Sequence, residues 1–267
     1  MDELTTDTEF EGKIDLEWDD DHVMPEVVNP DVEFLFRRMI EATLKEVSPF
    51  QGERVLDIGC GRATDGVELA RTGAIVVGIE PSNVMISYAR EHVDENGANM
   101  VLVQGVGEYL PFKAGSFDKV MCKGALDHFP DPSMVIREIA IVLKPEGEAI
   151  IAIANFGSLG FKLGKQVCAF RRKLGFKQGE GRMPWDIPPD HVYKFDYVLI
   201  RNMVSDYLNV KQAVGVSLLF GVPWWGAFLA KCPRSTSLGV LNILDKIARR
   251  VPSFSDVIVL RCISKDQ

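Results

Sequence analysis

Apolar side chains first recur at helical spacing at Val32, Leu35, Phe36, Met39, Ile40, Leu44 and Val47, between Asn29-Pro-Asp31 and Ser48-Pro49. This predicts a leading helix packed on a sheet. The period then changes. Short apolar runs at 54–58, 73–80, 100–103, 115–122, 148–154, 209–215 and 256–263 alternate with amphipathic stretches at 64–71, 82–96, 133–143, 197–207 and 238–250. Apolar runs of that length bounded by turn residues read as buried strands, and their alternation with helices predicts an α/β chain with a doubly wound, Rossmann-like, mostly parallel sheet. Lys144 to Gly147, reading Lys-Pro-Glu-Gly, is expected as a turn before the fifth strand.

The first strand ends in Val-Leu-Asp-Ile-Gly-Cys-Gly over 55–61, and Glu80 follows nineteen positions after Gly61 at the end of the second strand. Paired glycines let backbone approach a ligand closely, and an acid at the neighbouring strand end suits a ribose with two hydroxyls. A dinucleotide site would read G-x-G-x-x-G. Here Gly59-Cys-Gly61 is followed by Arg62-Ala63-Thr64, so the third glycine is missing. Asp57, Gly59, Gly61, Glu80, Gly107 and Lys123 are all expected on the carboxyl edge of the sheet, where ligands of doubly wound sheets lie.

The D-x-G-x-G motif at Asp57, Gly59 and Gly61 resembles that of class I S-adenosylmethionine-dependent methyltransferases. Three further stretches strengthen the likeness: Leu110-Pro-Phe112, Ser116-Phe-Asp118 with Val120, and the Leu-Lys-Pro-Glu-Gly turn ending at Gly147. They resemble the subgroup of ubiquinone/menaquinone-type C-methyltransferases and small-molecule O-methyltransferases. The resemblance runs from about residue 53 to 154. It implies seven strands with an antiparallel last strand, S-adenosyl-L-methionine as cofactor, and cofactor contacts from Asp57, Gly59, Cys60, Gly61, Glu80, Pro81, Val106, Gly107, Glu108 and Lys123. Val106 stands where the family usually has an aspartate for the adenine amino group. Enzymes of this fold that methylate nucleic acids carry an Asn- or Asp-Pro-Pro-aromatic motif after strand four; Cys122-Lys-Gly-Ala125 lacks it, which disfavours a nucleic-acid partner.

Methyl transfer to oxygen or carbon needs a proton removed from the acceptor, and histidine suits that task. His128 is the candidate base and Asp127 its orienting acid; the competing reading packs His128 in its turn beside Phe129. His191, Tyr193 and Trp18 are candidates for the acceptor pocket. No close His or carboxylate cluster is visible in the sequence, so no metal is expected.

With 267 residues, 46% of them hydrophobic, the chain is expected to form one methyltransferase domain over 31–267, with helical insertions at about 155–195 and 216–250. The five cysteines are scattered, and Met1-Asp-Glu-Leu lacks a leader pattern, so a cytoplasmic protein without disulfides is expected. Net charge is −8, yet residues 1–33 hold thirteen acids against Lys13, leaving the remainder at +4. Residues 1–30 are therefore either a solvated tail or a lid, with Phe10, Trp18 or His22 turned to the cofactor. Residues 161–182 carry seven cations against Glu180; they are either a solvated basic face or a peripheral membrane contact. Residues 214–230 contain no charge and are expected to cover an acceptor pocket. The sequence thus predicts methyl transfer to a small, hydrophobic acceptor, the alternative being a non-catalytic binding module of the same fold held to a partner or membrane surface.

Overall fold

A computed structural model describes residues 15–21, 28–176 and 183–265. Phe10, His22, Lys177, Glu180 and Arg182 lie outside the described residues. Helix α1 (Pro30–Val47) leads into β1 (Arg54–Ile58), α2 (Thr64–Arg71), β2 (Ile75–Glu80), α3 (Asn83–Glu95), β3 (Met100–Gln104) and β4 (Phe117–Lys123). There follow α4 (Pro132–Val142), β5 (Leu143–Ala154), α5 (Leu159–Lys173), α6 (Tyr197–Tyr207), β6 (Leu208–Val216), α7 (Trp225–Lys231), α8 (Arg234–Ala248) and β7 (Val257–Ser264).

The seven strands form one sheet in the order β3-β2-β1-β4-β5-β7-β6, with β7 antiparallel to both its neighbours and the remaining pairings parallel. Val55, Leu56 and Ile58 of β1 and Ile150, Ile151 and Ile153 of β5 are fully buried, as strands covered on both faces require. One face packs against α1 and α2 through Leu35, Val47 and Leu69, and the other against α4 and α6 through Ile136, Ile139, Ile200 and Val204. The order reverses between β1 and β4, so their following loops depart to opposite faces and leave a crevice.

Two boundaries differ from expectation. The 144–147 turn is absorbed into β5, because Phe117 pairs with Leu143 and a register shift accommodates the extra residues before Lys119 pairs with Glu148. Helix α8 starts at Arg234, earlier than its apolar periodicity suggests, because Pro233 supplies the N-cap and its carbonyl accepts from Thr236 and Ser237. The uncharged stretch 214–230 is partly strand, partly loop and partly α7, whose Leu229 packs with Phe34 of α1 and Leu241 of α8. It therefore covers the amino-terminal half of α1.

A buried acid marks the junction of β6 and β7. Asp256 accepts from the Phe220 amide at 3.1 Å, its Oδ1 has no hydrogen-bond partner, and burial raises its pKa from 3.8 to about 7, with the charge of Asp31 adding to the rise. The folded chain thus binds more protons than the unfolded chain between those two values, so stability falls as pH rises through that window. At 1.36 kcal/mol per unit, raising pH from about 5.5 to 7 removes about 2 kcal/mol. Asp256→Asn, which keeps an acceptor for Phe220, is expected to flatten this slope in denaturant titrations at the two pH values.

Candidate active site

The crevice is built from the loops after β1, β2 and β4. Gly59 and Gly61 adopt φ of 66° and 52°, the left-handed region where glycine carries no steric cost. At Gly59 a second reason applies: a Cβ there would lie 2.5 Å from the Ala125 Cβ, so the loops after β1 and β4 meet with no space for a side chain. The amides of Gly59 and Cys60 both donate to the Ile79 carbonyl, tying this loop to β2. Cys60 turns its sulfur towards Gly78 of β2.

Glu80 is 5% exposed, and its carboxylate accepts from the Gly61 amide on one oxygen and the Ser82 amide on the other, both at 3.0 Å. Burial raises its pKa, while the two amides and the nearby His128 favour the charged form. A carboxylate offers about four acceptor positions; two remain for hydroxyls of a ribose. Asp57 is fully buried beneath this edge. Its pKa is pushed up to about 8 by burial, with the charge of Asp65 raising it further and Lys123 opposing. Lys123 Nζ lies 3.0 Å from Asp65 Oδ2, so its recorded ion pair is with the first turn of α2. Asp65 escaped the sequence reading because an acid in a first helical turn is common there.

In the loop after β3, Gly107 packs against Phe129 and Ile58 and Val106 is half-buried, while Pro81 after β2 accepts from the Gln104 side chain through its carbonyl. Glu108 is buried against the amino end of α4: Oε1 accepts from the Asp131 amide at 3.4 Å, and Oε2 has no hydrogen-bond partner. Burial raises its pKa.

After β4 the chain brings Asp127 and His128 against residues 190–191 from the segment following α5. His191 Nδ1 lies 3.1 Å from Asp127 Oδ2, and the rings of His128 and His191 are 4.4 Å apart, edge to face. The Val192 amide donates to the Asp127 carbonyl at 2.7 Å. His128 Nδ1 is 3.2 Å from the Asp190 carbonyl oxygen. A carbonyl only accepts, so Nδ1 carries the proton and the Nε2 lone pair is left open, 4.0 Å from Asp127 Oδ1. The ground on which no metal was expected is therefore corrected: Asp127, His128 and His191 offer ligand atoms all within 4.8 Å of one another. Tyr193 is not gathered into this cluster; its ring stacks on Phe195 and packs against the core.

Residues 15–21 form a strap across the crevice. The Trp18 carbonyl accepts from Ser82 Oγ at 2.6 Å, its indole donates to Asp190 Oδ2 at 3.1 Å, and its ring meets His128 edge-on at 5.3 Å. Asp20 receives Arg62 of the glycine loop bidentately, and the Asn83 amide donates to the Leu16 carbonyl. Beyond His191 a run of rings, Phe156, Phe161 and Phe220, leads to a cavity of about 530 Å³. Phe220, Trp185, Trp224 and Phe176 line it, with Arg171 and Arg172 among its walls.

Residues 56–151 match the family model described as a methyltransferase domain. A ubiquinone biosynthesis O-methyltransferase of Xanthomonas axonopodis pv. citri (strain 306) is 39% identical over 113 residues, covering 42% of this chain and 47% of that protein. The chain thus spans about half the length of the curated relative it matches. Among solved structures, the YcgJ protein of Bacillus subtilis superposes with a TM-score of 0.57 at 21% identity, covering 86% of this chain and 100% of that one. A SAM-dependent methyltransferase of Aquifex aeolicus gives 0.55 at 16% identity, covering 89% and 94%. At these identities the structural likeness is one of fold. Residues 56–151 are thus similar to a methyltransferase domain, and the strand order with the glycine and Glu80 edge gives the chain the fold shared by solved S-adenosylmethionine-dependent methyltransferases.

Proposed function

We propose that this protein transfers a methyl group from S-adenosylmethionine to an oxygen or carbon of a small hydrophobic acceptor. The observation that carries the reading is the juxtaposition of a cofactor edge at Gly59, Gly61 and Glu80 with a histidine whose Nε2 is open. When bound, S-adenosylmethionine supplies an activated methyl group, so the chain's own tasks are positioning, water exclusion and proton removal. Glu80 holds the ribose hydroxyls on its two remaining acceptor positions. The unsubstituted backbone at Gly59 and Gly61 lets the cofactor lie against the loop. Trp18 roofs the crevice and keeps water out.

His128 removes the acceptor proton at Nε2. Asp190 fixes the ring through the Nδ1 proton, and the nearby Asp127 carboxylate favours the imidazolium that forms. The cavity behind Phe161 suits an apolar acceptor, its rings offering area for hydrophobic burial at about 25 cal/mol per Å². The alternative of a non-catalytic module is not favoured by the named relatives, nor by an intact cofactor edge.

The same reading includes a peripheral membrane contact. No helix among the described residues is long and apolar enough to cross a membrane. At the carboxyl end of α5, however, Phe170, Leu174 and Phe176 are each more than half exposed, as are Trp224 and Phe228. The guanidinium of Arg171 lies 4.7 Å from the Trp224 ring centre and 5.4 Å from that of Phe176, joining these residues into one aromatic and basic patch beside the cavity. Such a patch fits an anionic bilayer surface, from which an apolar acceptor can be drawn.

Calorimetric titration tests the cofactor assignment. Glu80→Ala is expected to weaken S-adenosylmethionine binding by about 1 to 3 kcal/mol, or roughly 5- to 150-fold. Unchanged affinity would remove Glu80 from the site. His128→Gln is expected to lower kcat by about 10² to 10⁴; an unchanged kcat would assign the base elsewhere. In vesicle sedimentation the chain should pellet with anionic but not neutral lipid, and Arg172→Glu with Lys173→Glu should keep it in the supernatant. Equal pelleting of parent and variant counts against the membrane contact.

A further inference from the structure

We infer that Asp127, His128 and His191 form a binding site for one divalent cation of the borderline kind, such as Zn²⁺ or Co²⁺. The donor set is two imidazoles and a carboxylate. Their ligand atoms all lie within 4.8 Å of one another, a spread that an ion bonded at roughly 2 Å to each closes by small side-chain rotations. Mixed nitrogen and oxygen donors of this kind select zinc, cobalt and similar ions over calcium or magnesium.

Three further observations point to an ion. Asp127 is 3% exposed, and its Oδ1 is buried without a hydrogen-bond partner; a buried carboxylate oxygen left unsatisfied is costly. That oxygen faces His128 Nε2 at 4.0 Å, too long for a hydrogen bond, and a four-coordinate ion between them would draw the two atoms closer. His128 Nδ1 meets the Asp190 carbonyl at 3.2 Å, the outer hydrogen bond that metal-binding imidazoles ordinarily make to fix the ring and its tautomer. With three protein ligands the ion keeps at least one position for an exogenous oxygen, in the space where the acceptor is proposed to sit. Asp190 and Glu80 are further acids near His128, so the local field is negative and suits a cation.

The site reuses the side chains of the proposed base, yet it can be read without cofactor, acceptor or turnover. Untagged chain stripped with chelator is titrated calorimetrically with ZnCl₂ at about pH 7.5. The expected result is one saturable equivalent. Asp127→Asn and His191→Gln are each expected to weaken it by at least about tenfold, while Cys168→Ser with Cys232→Ser binds as the parent does. Metal-free melting temperatures confirm that each variant is folded. Absence of saturable heat, unchanged binding in Asp127→Asn, or loss in the cysteine variant overturns the assignment. Methyl transfer that persists with chelator present would then leave the base reading standing alone, whereas zinc binding with no methyl transfer would separate the two in the opposite direction.

Discussion

The ligand edge of this molecule depends on one buried carboxylate. Glu80 ends β2, and its two oxygens take the amides of Gly61 and Ser82, so a single side chain sets the spacing between the glycine loop and the start of α3. An acid so far from water is tolerated because backbone dipoles replace its hydration. From that point the rest follows. The Ser82 side chain caps α3 by accepting from Val84 and Met85 and also donates to the Trp18 carbonyl, which seats the strap. The strap in turn reaches Asp190, which orients His128.

Acids crowd this edge, and the chain offsets their repulsion in different ways. Lys123 pairs with Asp65 above the buried Asp57, whose pKa is raised by burial and further by the charge of Asp65. Asp245, by contrast, is held by Arg38 and Arg249 while its Oδ1 accepts from the Ser217 amide, pinning α1, α8 and the end of β6 together. The sheet's far edge is thus clamped by ionic pairs, whereas at the crevice Glu80 is held by backbone amides.

Strand and helix positions and the edge of the crevice were legible because each is written in local sequence. Apolar runs gave the strands, Pro81-Ser82 opened α3, and the glycine pair with Glu80 marked the crevice. Leu110, Phe112 and Phe117 look like signature residues and prove to be packing ones: Phe112 meets Phe117 edge-on at 5.1 Å in the core. What local sequence could not reveal was convergence. Asp127 and His191 are 64 positions apart, and only the fold places their side chains 3.1 Å from each other. Trp18 was one of several aromatics among acids, and nothing in its spacing distinguished its contact with His128 from exposure to solvent.

The crevice joins two kinds of chain segment, one inside the matched domain and one outside it. Asp57, Glu80, Asp127 and His128 lie within the segment shared with other methyltransferases, whereas Trp18, Asp190, His191 and the cavity walls lie outside it. The strap is tied to the matched segment by polar bonds at Arg62, Ser82 and Asn83, and the segment after α5 by the Val192 amide on the Asp127 carbonyl. The division is physical: a change at Trp18 or His191 leaves the amides of Gly61 and Ser82 on Glu80 untouched, so the crevice has one wall that can be altered while the other stays set.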